Sequence, residues 1–230
     1  MGEHAAAESP RRIRRGLYLL TPDECDTPRL LDRVAAVIDH ASLLQYRNKR
    51  ADAALADAQV AALLPLCRAH GVPLLVNDDW RLAASHGTDG AHLGERDGDL
   101  AMARAVLGAR AILGASCYDS LELAQSAAAA GASYVAFGAC FPSPTKPQAR
   151  RAAPALLHDA RALGLPVVAI GGITPDNAPR VVEAGADLVA VISGVFDAPD
   201  PVQAARAYLR AFDEVPGRSP DTSDSSAPTA

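Results

Sequence analysis

The feature that most constrains this chain is an alternation of short apolar runs with Ala-rich amphipathic segments, repeated about eight times. Many of the amphipathic segments end at a glycine, and many of the apolar runs begin beside a proline or glycine, as helices and strands commonly do. The apolar runs carry few polar residues on either face, which is typical of parallel strands covered on both sides. The pattern therefore predicts repeated strand–helix units around a parallel sheet.

The repeat predicts eight strands and eight helices. The strands are 16–20, 42–47, 73–76, 90–94, 111–116, 133–138, 166–172 and 187–194. The helices are 28–39, 51–70 with a candidate kink at Pro65, 80–86, 99–108, 120–131, 153–164, 175–185 and 200–212. Eight such units in about 200 residues predict an α/β fold, a single (β/α)8 TIM barrel. A doubly wound open sheet is the alternative, but no GxGxxG fingerprint follows the first strand.

Length and the character of the two ends define the expected domain organisation. A chain of 230 residues, 49% of them hydrophobic, can form one large domain with a sizeable core. We expect a flexible N-terminus at 1–14, a barrel catalytic domain at 15–213 and a disordered tail at 214–230, because both ends lack an apolar period.

Charge, hydropathy and cysteine usage exclude several classes of protein. The net charge is −5 and no acidic or basic block dominates the expected folded part, so we expect no nucleic-acid partner. A secretion signal and an apolar run of about 20 residues are both missing, which predicts no membrane contact. The cysteines do not form CxxC pairs or metal-ligand spacings, and free thiols in a cytoplasmic protein are expected. They are Cys25, Cys67, Cys117 and Cys140.

Polar residues and glycines concentrate at the carboxyl ends of the predicted strands, where barrel active sites form. At the end of the second strand and just after it, Gln45, Arg47 and Lys49 occupy alternate positions and would share one face if the strand continued. The other strand ends carry Asn77, Asp78 and Asp79; His92 and Asp97; Ser116; Ser143, Thr145 and Lys146; Gly171 and Gly172; and Ile192, Ser193 and Gly194. Each group alone could be a solvated strand end, a helix cap or a turn. Their convergence on one rim favours a site.

The chemistry of that rim predicts two anion sites. Arg47, Lys49 and Lys146 can neutralise a polyphosphate. Asp78 and Asp97 would repel the same anion unless a divalent cation lies between them, and Mg²⁺ accepts a few carboxylates together with phosphate oxygens. The glycine turns after the seventh and eighth strands suit a monophosphate bound by backbone N–H groups.

The order and spacing of seven segments resemble those of the thiamine-phosphate synthase family over about 16–212. The segments are LLQYRNK, VNDD, GAHLGERD, GAS, YVAFGACFPSPTK, VVAIGGI and VAVISGVF. The resemblance implies an enzyme in which a thiazole phosphate nitrogen displaces the diphosphate of 4-amino-2-methyl-5-(diphosphooxymethyl)pyrimidine. The products would be thiamine phosphate and pyrophosphate. It also implies a Mg²⁺-assisted dissociative substitution with small-molecule substrates, and it leaves a homo-oligomer open.

Residue roles follow from the resemblance by motif. The implied catalytic residues are Arg47, Lys49, Ser116 and Lys146. The implied substrate-binding residues are Gln45, Tyr46, Arg47, Asn48, Lys49, Asn77, Ser116, Ser143, Pro144, Thr145, Lys146, Gly172, Ile192 and Ser193. The implied Mg²⁺ ligands are Asp78 and Asp97. The chain departs from the commonest pattern at Tyr46, Glu95 and Ser143, where Leu, Gln and Thr are frequent.

Two other functions fit parts of the pattern. A thiazole tautomerase would need the thiazole phosphate site and a general base, for which His92 is the candidate, but no diphosphate site. A packed core histidine is the plainer reading of His92. A non-catalytic phosphate binder would keep the glycine turns and would have little need for Asp78 and Asp97.

Overall fold

A computed structural model describes residues 13–142, 151–213 and 215. Within these residues, eight parallel strands form a closed barrel in chain order, and the last strand pairs with the first. The strands are β1 (Gly16–Leu20), β2 (Ala41–Tyr46), β3 (Leu74–Asn77), β4 (Gly90–Leu93), β5 (Ile112–Tyr118), β6 (Tyr134–Phe137), β7 (Val167–Ile170) and β8 (Leu188–Val191). The predicted TIM barrel is confirmed, and the open sheet is excluded.

Helices connect the strands and cover the outside of the barrel. They are α1 (Thr27–Ala35), α2 (Ala53–His70), α3 (Trp80–His86), α4 (Leu100–Leu107), α5 (Leu121–Ala129), α6 (Pro154–Ala160), α7 (Ala178–Glu183), α8 (Ser193–Phe196) and α9 (Pro201–Asp213). Short 3-10 turns occur at Ile38–His40 and Arg161–Leu163. Of the helices in the described part of the chain, none is long and apolar enough to cross a membrane.

Local sequence explains where the first five helices begin. A side-chain oxygen just before each helix accepts a hydrogen bond from a backbone N–H of the first turn, which satisfies a group that has no partner within the helix. The capping residues are Asp26, Asp52, Asp79, Asp99 and Ser120. Such caps start each helix within a few residues of the end of the preceding strand.

Alternation along the strands divides the core into two layers. Side chains that point outward pack under the helices, whereas those that point inward fill the barrel. The buried hydrophobic members of the inner cluster are Tyr18, Leu20, Leu43, Leu75, Ile112, Tyr134, Ala136, Val168, Leu188 and Ala190. Two tyrosines therefore bring hydroxyl groups into an otherwise apolar interior.

Several element boundaries differ from the predicted ones, most clearly around β8 and α7. Strand β8 ends at Val191, and Ser193 and Gly194 belong to the short helix α8 instead of the predicted strand 187–194. The predicted helix 175–185 starts later, at Ala178, because the side chain of Asn177 accepts a hydrogen bond from Thr174 N and holds a turn there. Helix α2 continues through Pro65 without a break.

We expect Leu43→Ala to lower the free energy of unfolding by about 2–5 kcal/mol, because Leu43 is completely buried inside the barrel and truncation leaves a cavity. Urea unfolding followed by circular dichroism measures the loss. Val106→Ala is the control, since Val106 is 56% exposed on α4 and its truncation should change stability by less than about 0.5 kcal/mol. Equal losses in the two variants would contradict the two-layer core.

Candidate active site

The carboxyl-terminal end of the barrel, which we call the barrel mouth, receives four of the predicted residues by strand alternation. Gln45 follows the inward-facing Leu43 by two positions, and Asn77 follows Leu75 in the same way. His92 and Ser116 also face inward, since their side chains are hydrogen-bonded to each other at 2.8 Å. The strand register thus brings together polar groups that lie far apart in the sequence.

The two cations after β2 are held by the loop that follows β1. Thr21 Oγ1 donates to Arg47 O and accepts from Arg47 N, both at 2.8 Å. Asp23 Oδ1 accepts from the Arg47 guanidinium at 3.0 Å and from Lys49 N at 2.9 Å. Sequence reasoning did not select Thr21 or Asp23, although their position directly after the first strand was a usable signal.

Asp78 and Asp97 lie side by side close to these cations. The two carboxyl groups are within hydrogen-bonding reach of one another. Asp78 follows β3 in the left-handed conformation with φ of 65°, and its N–H donates to His92 O at 2.8 Å. Asp97 Oδ2 accepts from Gly94 N at 2.8 Å. The backbone therefore holds the loops that carry both acids.

The electrostatics of this pair are unfavourable without a counter-ion. Burial, and then the neighbouring Asp97, raise the pKa of Asp78 to about 6, whereas the charges of Lys49 and Arg47 act to lower it. The charges of Asp97, Lys49 and Arg47 thus act on Asp78, and we call these four residues the acid–cation cluster. Its members are Arg47, Lys49, Asp78 and Asp97.

The paired acids fit a magnesium ion better than a metal caged by protein ligands alone. Among the described residues, no group of three or more His, Cys, Asp or Glu side chains could hold a metal. Mg²⁺ is usually bound by one or two carboxylates, with waters and substrate phosphates completing its coordination. Two adjacent carboxylates near cations that can receive a phosphate have that composition.

Five polar side chains cross the inside of the barrel as one hydrogen-bonded chain, which we call the interior relay. It consists of Gln45, Tyr18, Tyr134, His92 and Ser116, joined in this order by bonds of 2.6, 2.7, 2.8 and 2.8 Å. Burial lowers the pKa of His92 to about 4, so the imidazole is neutral near neutral pH. Sequence reasoning selected the two ends of the relay but missed both tyrosines.

Two predicted substrate-binding residues make structural contacts instead of facing the interior. The Tyr46 side chain packs in the outer layer, and its hydroxyl donates to Gln59 Oε1 at 2.9 Å. The Asn48 amide donates to Glu24 O at 2.6 Å and to Gln59 Oε1 at 3.1 Å. Both side chains therefore tie the end of β2 to α2.

The loops after β7 and β8 are adjacent because these strands pair. Gly172 has φ of +66°, and a Cβ there would lie 2.5 Å from Pro142 O, so the turn requires glycine. The Asn177 amide donates to Gly172 O at 3.1 Å and supports the turn. Ile192 lies between β8 and α8, and Ser193 opens α8, where the first N–H groups of a helix have no partner within it.

One predicted segment of the site cannot be placed. The residues Ser143, Pro144, Thr145 and Lys146 lie outside the described part of the chain. Their implied roles remain predictions.

Comparison with known proteins decides the family. A family model described as thiamine monophosphate synthase matches residues 17–195. This chain belongs to the thiamine monophosphate synthase family. A thiamine-phosphate synthase from Xanthomonas campestris pv. campestris is 62% identical over 198 residues, which cover 86% of this chain and 96% of that protein. A thiamine-phosphate synthase from Xylella fastidiosa is 52% identical and covers 86% and 85%, respectively.

A solved structure from the same family agrees with the barrel. Thiamine phosphate pyrophosphorylase from Pyrococcus furiosus superposes with a TM-score of 0.77 at 30% identity, over 88% of this chain and 97% of that chain. The resemblance predicted from the seven sequence segments is therefore confirmed, and so is the prediction that this member of the thiamine monophosphate synthase family is an enzyme.

We expect Mg²⁺ to bind this chain about tenfold more weakly at pH 5 than at pH 8, because a proton competes for Asp78, whose pKa is raised to about 6. Asp78→Asn should abolish both Mg²⁺ binding and its pH dependence. The substitution should not strain the backbone, because asparagine tolerates the left-handed conformation of this position. Isothermal titration with MgCl₂ at the two pH values measures both effects.

The matched control is Asp79→Asn. Asp79 caps α3 through hydrogen bonds from Arg81 N and Leu82 N, a role that asparagine retains. This variant loses the same charge one position away, and its Mg²⁺ affinity should stay within about threefold of the wild type. Equal weakening by the two substitutions would remove Asp78 from the metal site.

Proposed function

We propose that this enzyme condenses 4-amino-2-methyl-5-(diphosphooxymethyl)pyrimidine with 4-methyl-5-(2-phosphooxyethyl)thiazole. The carbon–oxygen bond of the pyrimidinylmethyl diphosphate breaks, and its electron pair leaves with pyrophosphate. The thiazole nitrogen then donates its lone pair to the pyrimidinylmethyl cation, which yields thiamine phosphate. The acid–cation cluster is the observation that carries the proposal, because this reaction needs stabilisation of a departing diphosphate and no protein nucleophile.

Arg47 and Lys49 receive the diphosphate in this proposal. Negative charge builds on the leaving group as the carbon–oxygen bond breaks, and cations already fixed in place stabilise that charge without reorganising. Asp23 and Thr21 support this role, since they hold Arg47 at the barrel mouth. The predicted residues Asn77 and Lys146 would complete the contacts to this substrate.

Asp78 and Asp97 would hold Mg²⁺ beside the cations. When bound, the ion would supply positive charge against the diphosphate oxygens. The two carboxylates would bind and orient the ion, and without it their negative charges would repel an anionic substrate. We therefore propose Mg²⁺ as the cofactor.

The glycine turn after β7 and the start of α8 suit the second substrate. Backbone N–H groups of Gly172, Ile192 and Ser193 would bind the phosphate of the thiazole, as loops after the seventh and eighth strands of this fold often do. Ser143, Pro144 and Thr145 are predicted to contact the same substrate. Separate sites for the two anions would orient the thiazole nitrogen toward the pyrimidine.

The tautomerase alternative is disfavoured by the interior relay. A general base needs an accessible lone pair and a pKa near the working pH. Both ring nitrogens of His92 are hydrogen-bonded to Tyr134 and Ser116, and burial lowers the pKa of His92 to about 4. His92 is therefore poorly suited to remove a proton from a substrate.

We expect Arg47→Ala to lower kcat for thiamine phosphate formation by about 10²–10³, because one preorganised contact to the leaving group is lost. The dissociation constant of the thiazole phosphate should stay within about threefold of the wild-type value, because the two anions bind in separate places. Turnover is measured as pyrophosphate release with both substrates and Mg²⁺, with EDTA as the metal-free blank.

Arg68→Ala is the control for loss of an arginine, since Arg68 lies at the far end of α2 and donates to Gly87 O. Its kcat should equal that of the wild type within about twofold. A wild-type protein that releases no pyrophosphate from the substrate pair would refute the proposed reaction. A defect of Arg47→Ala confined to thiazole phosphate affinity would show that the two anion sites are reversed.

A further inference from the structure

The interior relay has a direction that can be worked out from the number of protons its members carry. With Gln45 Nε2 as the donor to the Tyr18 hydroxyl at 2.6 Å, Tyr18 has its own proton free to donate to Tyr134 at 2.7 Å. Tyr134, which now accepts from Tyr18, donates to His92 Nδ1 at 2.8 Å. Each member therefore fixes the role of the next one.

His92 transmits this direction to the far end of the relay. A neutral imidazole has one donor and one acceptor nitrogen, so a ring that accepts at Nδ1 carries its proton on Nε2. Nε2 then donates to Ser116 Oγ at 2.8 Å. Because Ser116 Oγ already accepts a hydrogen bond from His92, the hydroxyl proton of Ser116 is available for donation to a molecule in the barrel mouth.

The near end of the relay is left with an unused acceptor. Gln45 is 2% exposed, and its Oε1 atom has no hydrogen-bond partner among the residues that the structure describes. A buried polar atom without a partner is costly and calls for an explanation, such as a ligand. The two ends thus offer complementary groups, an acceptor at Gln45 and a donor at Ser116.

Packing holds the middle of the relay in place. The Tyr18 and Tyr134 rings meet edge to face, with centroids 5.8 Å apart, and His92 stacks on Tyr134 at 5.6 Å. Gly114 lies against this pair, and a Cβ there would overlap the Tyr134 hydroxyl and the His92 ring. The rings therefore have little freedom to turn away from one another.

We propose that Tyr18 and Tyr134 are positioning residues that set the hydrogen-bond polarity of Gln45 and Ser116 and so select a 4-aminopyrimidine over a 4-oxopyrimidine. The proposal rests on the proposed function, since it concerns the pyrimidine substrate. Neither tyrosine needs to touch that substrate.

The chemistry of the two rings explains the selection. A 4-aminopyrimidine presents an N–H donor beside a ring-nitrogen acceptor, which matches the acceptor of Gln45 and the donor of Ser116. A 4-oxopyrimidine presents a carbonyl acceptor beside a ring N–H donor, which reverses the pattern. A site that hydrogen-bonds one pattern rejects the other strongly, because its own polar groups would be left unpaired.

The relay could also run in the reverse direction, and the position of the imidazole proton distinguishes the two cases. In the reverse direction Ser116 would donate to His92 Nε2, and Nδ1 would carry the proton. We expect ¹⁵N NMR of histidine-labelled, ligand-free protein to show His92 protonated on Nε2 and unprotonated on Nδ1. The His92 signal is assigned by its loss in His92→Gln. A proton on Nδ1 would overturn the proposal, and this reading requires no enzymatic activity.

The kinetic test compares the 4-amino substrate with its 4-oxo analogue, each as the diphosphate. Tyr18→Phe removes both the acceptor for Gln45 and the donor for Tyr134. We expect the ratio of kcat/KM for the two compounds to fall by at least about tenfold, with the KM of the thiazole phosphate unchanged. An unaltered ratio would overturn the proposal. Tyr134→Phe should give the same result, and it replaces Tyr18→Phe if that variant does not fold.

The control is Tyr208→Phe, which also removes one buried hydroxyl, in this case from a hydrogen bond to Ile173 O of 2.8 Å. It should lower Tm to a similar extent and leave the amino-to-oxo ratio unchanged. An equal fall in the ratio would show that the effect is merely structural and would refute the positioning role. If the wild type formed no thiamine phosphate, the proposed function would fail, whereas the NMR result would still report the direction of the relay.

Discussion

The repulsion between Asp78 and Asp97 is the interaction on which the account of this molecule depends. Two adjacent carboxylates repel each other when no cation lies between them, and this repulsion adds to desolvation in raising the pKa of Asp78. The barrel tolerates the pair because each acid lies in a loop after a strand whose position is fixed by closure. The stability of the fold thus maintains an electrostatic arrangement that suits the binding of a cation together with an anion, as proposed above.

The barrel separates two kinds of polar chemistry. The acid–cation cluster lies at the barrel mouth, where water and ions can reach it and charges can be exchanged. The interior relay lies below it among apolar side chains, where neutral groups are preferred and hydrogen bonds are strong and directional. In the proposed function, the diphosphate would bind at the mouth, while the polarity of the uncharged pyrimidine ring would be recognised from the interior.

The fold could be predicted from the sequence because the periodic pattern repeats about eight times, and errors in single elements do not change the topology. The positions of Arg47, Lys49, Asp78 and Asp97 could be predicted as well, since parallel strands deliver their carboxyl ends to one rim. Strand alternation alone predicts that the Tyr46 side chain points away from that of Gln45, because neighbouring residues face opposite sides of a strand.

Other features depend on tertiary contacts that the sequence pattern alone does not predict. Tyr18 and Tyr134 were unremarkable members of apolar runs, and their pairing requires the register of strands from opposite parts of the sequence. The hydrogen bond between Asp23 and Arg47 depends on how the loops after β1 and β2 pack together. Loop conformation produces no periodic pattern in the sequence. Helix α8 was missed because its four residues continue the apolar character of β8.

The most direct test of the central claim is a crystal structure of the protein with Mg²⁺ and pyrophosphate. We predict a magnesium ion bound by oxygens of Asp78 and Asp97 at about 2.0–2.1 Å, with the pyrophosphate in contact with both the ion and the side chains of Arg47 and Lys49. Pyrophosphate bound at the Gly172 turn, with no ion between the two carboxylates, would contradict it.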